Sequence, residues 1–293
     1  MALQILHLSD LHIGNTVTKE RDNLKTIVAR TIAKWREAEN KPLILITGDI
    51  AHDGKEDQFV EARAILDPIY SSGFRVLAIP GNHDYGRNGS HAIESRFKYF
   101  KSAFFPIENV TYPFLKEISG HVLIGLNSMK ANTGFFDGLL ADGELGDRQI
   151  DDTIGFLKQL ENRNREKQKV IIYLHHHPFL YPDEPPLNDV GEKIGHWLKD
   201  GDDLMDKISG HLVDALLFGH EHRHLDFSET KFKDKYNIPI ILSAGKSTDE
   251  TTIEYKVAYN GKENKSNILN QGLLGRLITI QDDGAIKVEN VNF

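Results

Sequence analysis

The 293-residue sequence contains no cysteine, which excludes disulfides, thiolate nucleophiles and sulfur-rich zinc sites together. A cysteine-free chain suits a reducing compartment, and the expected location is cytoplasmic. No apolar run approaches the roughly 20 residues that span a bilayer. The first residues pass from Met1 into a strand pattern without the basic region and longer apolar core of a secretory signal, so no membrane partner is expected. Dense basic blocks are missing too. The formal net charge is -8, and the most basic stretch, 163–169, is interrupted by Glu166, so an extended nucleic-acid footprint is not expected. There is no internal repeat and no low-complexity tract. The sequence does have 40% apolar residues, ample for a core, and 14 histidines, many of them where apolar runs stop.

Hydrophobic periodicity predicts strands at 3–8, 43–47, 75–79, 121–127, 170–174, 215–218 and 238–243. Between them it predicts helices at 20–39, 58–71, 91–104, 147–162 and 202–208. In the first helix Leu24, Ile27, Val28, Ile32 and Trp35 form one apolar face. Residues 276–280 and 285–290, around Asp282-Asp283-Gly284, read as an antiparallel hairpin. Alternation of this kind indicates the α/β class, with helices covering a sheet on both faces. A single domain over 1–293 is expected, with a C-terminal hairpin region at 273–293. Two segments break the rhythm and read as long irregular loops: 181–201, with Pro182, Pro185 and Pro186, and 254–270. The first follows a histidine triplet and is a candidate wall or lid of an active site.

Five predicted strands end directly in metal-binding side chains: Ser9-Asp10-Leu11-His12, Gly48-Asp49, Gly81-Asn82-His83-Asp84, His175-His176-His177-Pro178 and Gly219-His220-Glu221-His222. Open α/β sheets gather active-site groups at that edge. Asp10 and His12, two apart on an expected extended segment, face the same way and can hold one ion. Asp49 has two oxygens with which to bridge cations, and Asn82 adds an amide oxygen. In the triplet, both His175 and His176 are candidate ligands; His175 is preferred because it stands at the strand end. With His220 and His222 the set is two carboxylates, one amide and four imidazoles, which suits manganese, iron, zinc, cobalt or nickel. Seven ligands exceed one ion's needs, so the expectation is a dinuclear centre of divalent or trivalent ions such as Mn, Fe or Zn. Two cations about 3.5 to 4 Å apart hold a phosphate and acidify a water for in-line attack. His83 is the candidate proton donor to the leaving alkoxide. Asp84, His176 and Asn127 are candidate pocket residues. His52 and Asp53 read as turn residues, His224 as a surface residue and His7 as packed inside.

In order, Asp10-x-His12, Gly48-Asp49, Gly81-Asn82-His83-Asp84, His175 and Gly219-His220-x-His222 resemble the motifs of the calcineurin-like metallophosphoesterase superfamily, over residues 3–222. The resemblance implies a four-layered α/β/β/α sandwich of two mixed sheets with flanking helices. It also implies that Asp10, His12, Asp49 and His222 hold one metal, that Asn82, His175, His220 and the shared Asp49 hold the other, and that His83 contacts the phosphate. Pro80-Gly81-Asn82-His83-Asp84 and Leu174-His175-His176-His177-Pro178 are most similar to the class III cyclic-nucleotide and glycerophosphodiester phosphodiesterase group. The expected function is therefore hydrolysis of a small phosphodiester. A protein serine/threonine phosphatase would carry arginines where Asp53 and Pro80 stand. A DNA nuclease or a phosphomonoesterase of the same superfamily is the alternative activity, and the acidic charge speaks against the nuclease. A non-catalytic scaffold would have lost ligands that are all present here.

Overall fold

The computed structural model describes residues 2–14, 18–86, 92–107, 109–129, 142–164, 166–179, 198–257, 259 and 263–293. Most of the candidate lid at 181–201 lies outside them. In chain order the first half contains β1 (Leu3–Leu8), α1 (Lys19–Lys34), β2 (Leu43–Thr47), α2 (Glu56–Ser71), β3 (Val76–Ile79), α3 (Phe97–Phe104), β4 (Phe114–Ile118) and β5 (His121–Gly125). The second half contains α4 (Asp147–Gln159), β6 (Val170–Tyr173), α5 (Gly201–Ser209), β7 (Ala215–Phe218), β8 (His224–Asp226), α6 (Lys231–Tyr236) and β9 (Ile240–Ser243). It ends with β10 (Ile253–Val257), β11 (Glu263–Gln271), β12 (Leu274–Ile280) and β13 (Ile286–Asn292).

These strands form two mixed sheets, in the orders β13-β12-β1-β2-β3 and β11-β10-β8-β9-β7-β6-β5-β4. Successive side chains on a strand point to opposite faces, and both faces of each sheet are covered. In the first sheet Leu6, Leu8, Ile44 and Ile46 pack in one cluster with Leu24, Ile27, Phe59, Leu66 and Phe100 of α1, α2 and α3. Ile124, Ile172, Leu216 and Phe218 of the second sheet pack likewise with Ile150, Leu204 and Phe232 of α4, α5 and α6. The alternate residues Ile5, Leu45 and Ile79 meet Leu123, Ile171 and Leu217 between the sheets. Strands apolar on both faces are thus the mark of a helix–sheet–sheet–helix sandwich, as expected.

The helix termini follow local chemistry. Glu20 and Asp22 lie in the first turn of α1 and Lys34 in its last, complementing the helix dipole. In α2 the Gln58 side chain reaches back to accept from the backbone N–H groups of Asp53 at 2.8 Å and Lys55 at 3.3 Å, satisfying donors at the helix start. α1 stops five residues short of the expected 39. Residues 94–96, at the start of the expected third helix, form a 3-10 turn ahead of α3. Residues 254–270 correct the sequence reading: they are not an irregular loop but contain most of the antiparallel pair β10–β11. Their Asn, Lys and Gly content hides a strand whose order comes from pairing rather than propensity. β4, β8 and α6 also escaped prediction, being three to six residues long.

A buried polar cluster between the sheets joins β10, β12 and β13. Arg276 on β12 is fully buried, with Nη1 3.5 Å from Glu254 Oε1 on β10 and Nε donating to the Ser243 carbonyl at 3.3 Å. Glu254 also accepts from Asn290 Nδ2 on β13. Removing one partner of such a pair strands the other charge in the interior. We expect Arg276→Met to lower unfolding free energy by about 3–5 kcal/mol, and Arg276→Met with Glu254→Leu to recover most of that loss. Denaturant midpoints of the two variants check this.

Candidate metal centre

The strands β1, β2, β3, β6 and β7 all deliver their next residues to one edge. The Asp10 N–H donates to the Gly48 carbonyl at 3.1 Å, the His12 N–H to the Asp49 carbonyl at 2.9 Å and the Gly219 N–H to the His175 carbonyl at 3.0 Å. The Asp10–His12 segment is not extended, contrary to expectation. Asp10, His12, Asp49, His220 and His222 have φ of 55°, 48°, 52°, 74° and 53°. This left-handed region is costly for residues with a Cβ, and it clusters where function over-determines the backbone. Left-handed residues at alternating positions turn the chain back, so that Asp10 and His12 reach one group of ligands while His220 and His222 divide between two. Neighbouring glycines make room. A Cβ on Gly81 would lie 2.2 Å from Asp49 Oδ1, and one on Gly219 would lie 2.0 Å from Ser9 Oγ.

The structure brings all seven expected ligands together, in two groups. Asp10, His12, Asp49 and His222 place candidate ligand atoms within 4.8 Å of one another, as do Asp49, His175 and His220. In the first group His12 Nε2 is 2.9 Å from His222 Nε2, and Asp10 Oδ1 is 3.4 Å from His222 Nε2. In the second, Asn82 Oδ1 lies 3.0 Å from His175 Nε2 and 3.1 Å from His220 Nδ1. Asp49 Oδ2 belongs to both, at 3.9 Å from His12 Nε2 and 3.2 Å from His175 Nε2. Asp10, Asp49, Asn82 and His175 are buried, whereas the His222 side chain is 46% exposed, so the groups open to solvent on the His222 side.

The donor set fits transition-metal ions. Asp10 Oδ1 is buried and makes no hydrogen bond, while Oδ2 accepts from the His220 N–H at 3.1 Å. The remaining oxygen therefore points into a cluster of imidazole nitrogens, an arrangement that a cation reconciles. The electrostatics show the same demand for positive charge. Burial alone would depress the His175 ring, but the Asp49 carboxylate, its hydrogen bond, Asp10 and the Thr47 carbonyl outweigh it and hold the ring up at about 9. Burial alone would raise Asp49, but His175, His83 and His12 hold its carboxyl well below the usual range. The ring of His175 is oriented by Nδ1, which donates to the Thr47 carbonyl at 2.7 Å, the outer-shell contact that metal-ligating histidines require.

His83 stands at the rim of the first group, its ring edge-on to His12 at 4.5 Å. Its backbone N–H donates to Asp49 Oδ1 at 2.8 Å and its Nδ1 to the His52 carbonyl at 2.7 Å, so Nε2 is left for another partner. Asp84 is turned inward instead. Its carboxylate accepts from the backbone N–H groups of Ala51 at 2.8 Å and Gly81 at 2.9 Å, knitting the second and third loops together. Burial and then Asp49 push its carboxyl up to about 7 against those donors. His176 is buried beside His220, at 4.4 Å between ring centroids, with Nδ1 2.6 Å from Ser128 Oγ. Asn127 donates from Nδ2 to the Tyr85 hydroxyl at 2.8 Å and through its backbone N–H to Gln149 Oε1 at 2.8 Å, inside the protein.

Other histidines separate cleanly. His177 packs among Phe179, Phe218 and Phe227, where burial drives its pKa down to about 3. His224 is not a surface residue: it is fully buried on β8, where Nδ1 accepts from the Gly245 N–H at 2.7 Å. His7 is buried, as expected, with Nε2 2.9 Å from Thr47 Oγ1. Two further residues adjoin the site: His52, read from the sequence as a turn residue, and Lys246, which the sequence reading did not single out. The His52 ring faces His12 and His83, and Lys246, three residues past β9, is close enough for its charge to depress His12 and His52, where burial acts first. The available signal for Lys246 was its place after a strand end, in line with the other loops.

A sequence profile of the calcineurin-like phosphoesterase family matches residues 3–224, and the chain belongs to that family. It is 26% identical over 228 residues to a "Probable cyclic nucleotide phosphodiesterase" of Rhodococcus erythropolis, covering 74% of this chain but 64% of that one. A protein of the same description from Vesicomyosocius okutanii is 24% identical and covers 89% of this chain and 93% of its own. The "3',5'-cyclic adenosine monophosphate phosphodiesterase CpdA" of Vibrio vulnificus is 24% identical, over 77% of this chain and 72% of its own. Among solved structures, a purple acid phosphatase of yellow lupin superposes on the whole chain with TM-score 0.63 at 13% identity, the chain spanning 52% of its length. That likeness concerns the fold. Among the described residues no helix is long and apolar enough to cross a membrane.

The placement of the triplet predicts an asymmetry. His175→Ala should lose bound metal, whereas His176→Ala should keep it and change mainly KM. Metal content of each purified variant, with steady-state kinetics, tests the ranking.

Proposed function

We propose that the chain hydrolyses a small phosphodiester, of the cyclic-nucleotide or glycerophosphodiester type, at a centre of two transition-metal ions such as manganese, iron or zinc. The observation that carries this reading is the position of Asp49 Oδ2, shared by the two ligand groups, with His83 at their open rim. Asp10, His12, Asp49 and His222 would hold one ion, and Asp49, Asn82, His175 and His220 the other. When bound, such ions supply Lewis acidity toward a phosphate oxygen and acidify a water. The protein supplies the rest. Asp49 fixes the backbone of His83 while its other oxygen serves the centre, so the proton donor and the ligands keep one spacing. The His52 carbonyl holds the Nδ1 proton of His83, which leaves Nε2 to face the leaving oxygen: in the imidazolium form the ring passes its Nε2 proton to the departing alkoxide as the P–O bond breaks and is left neutral, with its remaining proton on Nδ1.

Support for a diester comes from the descriptions of the cyclic nucleotide phosphodiesterases to which the chain is similar. The net charge of -8 favours a small substrate over a DNA backbone, whose recognition draws on basic surface. Phosphomonoester hydrolysis is the second reading, because the same two ligand groups serve either ester.

A screen of metal-loaded protein against cyclic nucleotides, glycerophosphodiesters, nucleotide monoesters and a bis-nitrophenyl phosphodiester tests the assignment. Turnover of the diesters is the expected result, and activity confined to monoesters refutes it. His83→Ala should retain its metals and lose roughly 10²- to 10⁴-fold in rate on alkoxide-leaving substrates, the scale of general acid catalysis. On the nitrophenyl diester, whose phenolate leaves without a proton, the loss should be much smaller. Equal losses on both would make His83 a phosphate-binding group instead.

A further inference from the structure

A third group of imidazoles lies against the centre. His12, His52 and His83 each offer a nitrogen within 4.8 Å of the others, and the His52 ring centroid is 5.7 Å from that of His12 and 5.3 Å from that of His83. The Nδ1 atoms of His52 and His12 are both buried without a hydrogen bond. His52 is held rigidly for a turn residue: its N–H donates to the Ile13 carbonyl at 2.9 Å and its own carbonyl takes the Nδ1 proton of His83. That last bond leaves the lone pair of a neutral His83 on Nε2. The group contains nitrogen donors and no carboxylate, a set that selects zinc, nickel or copper over magnesium, calcium or manganese.

We propose that His52 and His83, together with His12, form an auxiliary cation site that binds zinc or a similar ion supplied in excess and thereby withdraws His83 from the substrate. His12 also belongs to the Asp10 group, so the auxiliary site competes for one of its ligands. It therefore fills after the carboxylate-containing groups and acts as a brake at high metal rather than as part of the working centre. The inhibitory half of this inference rests on the reading of His83 as proton donor; the binding half does not.

The test uses the full chain carrying zinc at its main centre, titrated with zinc chloride against a chromophoric chelator, with bis-nitrophenyl phosphate and a cyclic nucleotide assayed in parallel. Wild type should bind a further, weaker ion, and cyclic-nucleotide hydrolysis should fall as it binds. His52→Ala, which retains the backbone carbonyl that holds His83, should keep the tightly held zinc, and its weak step, read against that variant's own low-zinc rate, should weaken by at least the roughly 10- to 100-fold that loss of an outer-shell partner alone costs. His52→Gln should behave in the same way. An unchanged weak step in both variants, or its absence from wild type, overturns the auxiliary site. If no diester is turned over at any zinc level, the function proposed above fails while the binding titration still decides the site.

Discussion

The buried carboxylate of Asp49 sets the constraint on which the rest of the site depends. Its Oδ1 accepts the backbone N–H of His83 and its Oδ2 faces His12 on one side and His175 on the other. A buried carboxylate is tolerated only where positive charge or hydrogen-bond donors surround it. The surrounding loops supply both, and in doing so they fix the distances between the ends of β1, β2, β3 and β6. The sandwich supports that arrangement mechanically, because β2, which carries Asp49, lies between β1 and β3 and is apolar on both faces.

Much of this was legible in the chain, for a physical reason. Strands buried on both faces read as uninterrupted apolar runs, and the residue that ends such a run sits at the sheet edge whatever the sheet order. Runs such as 43–47 and 215–218 therefore located Asp49 and the His220 loop to the residue. Left-handed backbone at Asp10 and His12 was not legible, because nothing local distinguishes an Asp or His that will be forced to φ > 0 by its partners. The same limit hid β10 and β11. Their order comes from pairing with each other and with β8, contacts between segments that a local pattern does not register.

His52 and His224 show where residue type misleads. Both stand near ligand motifs, yet one ring lies against His12 and His83 and the other is buried between strands. For His224 the reading was a surface position, but β8 begins at that residue and carries it into the interior. For His52 the turn reading was correct for the backbone and silent about the side chain. Its carbonyl holds His83 and its ring fills the space beside it, so one residue both orients the neighbouring imidazole and adds a nitrogen donor to the rim.

The pairing of β1 with β12 matches Leu3 with Ile280 and His7 with Arg276, residues from nearly opposite ends of the sequence. Closing so long a loop gives its enthalpic return only once the whole intervening chain is available, and folds dominated by such contacts form slowly. During synthesis β1, which leads into Asp10, emerges well before its antiparallel neighbour β12. A chain interrupted before β12 would then expose one edge of β1, with its unpaired backbone groups, to other chains. The β12–β13 hairpin, which contributes none of the candidate ligands, thus completes the sheet that supports Asp10 and Asp49, so that sheet has both its flanks only once β12 has been made.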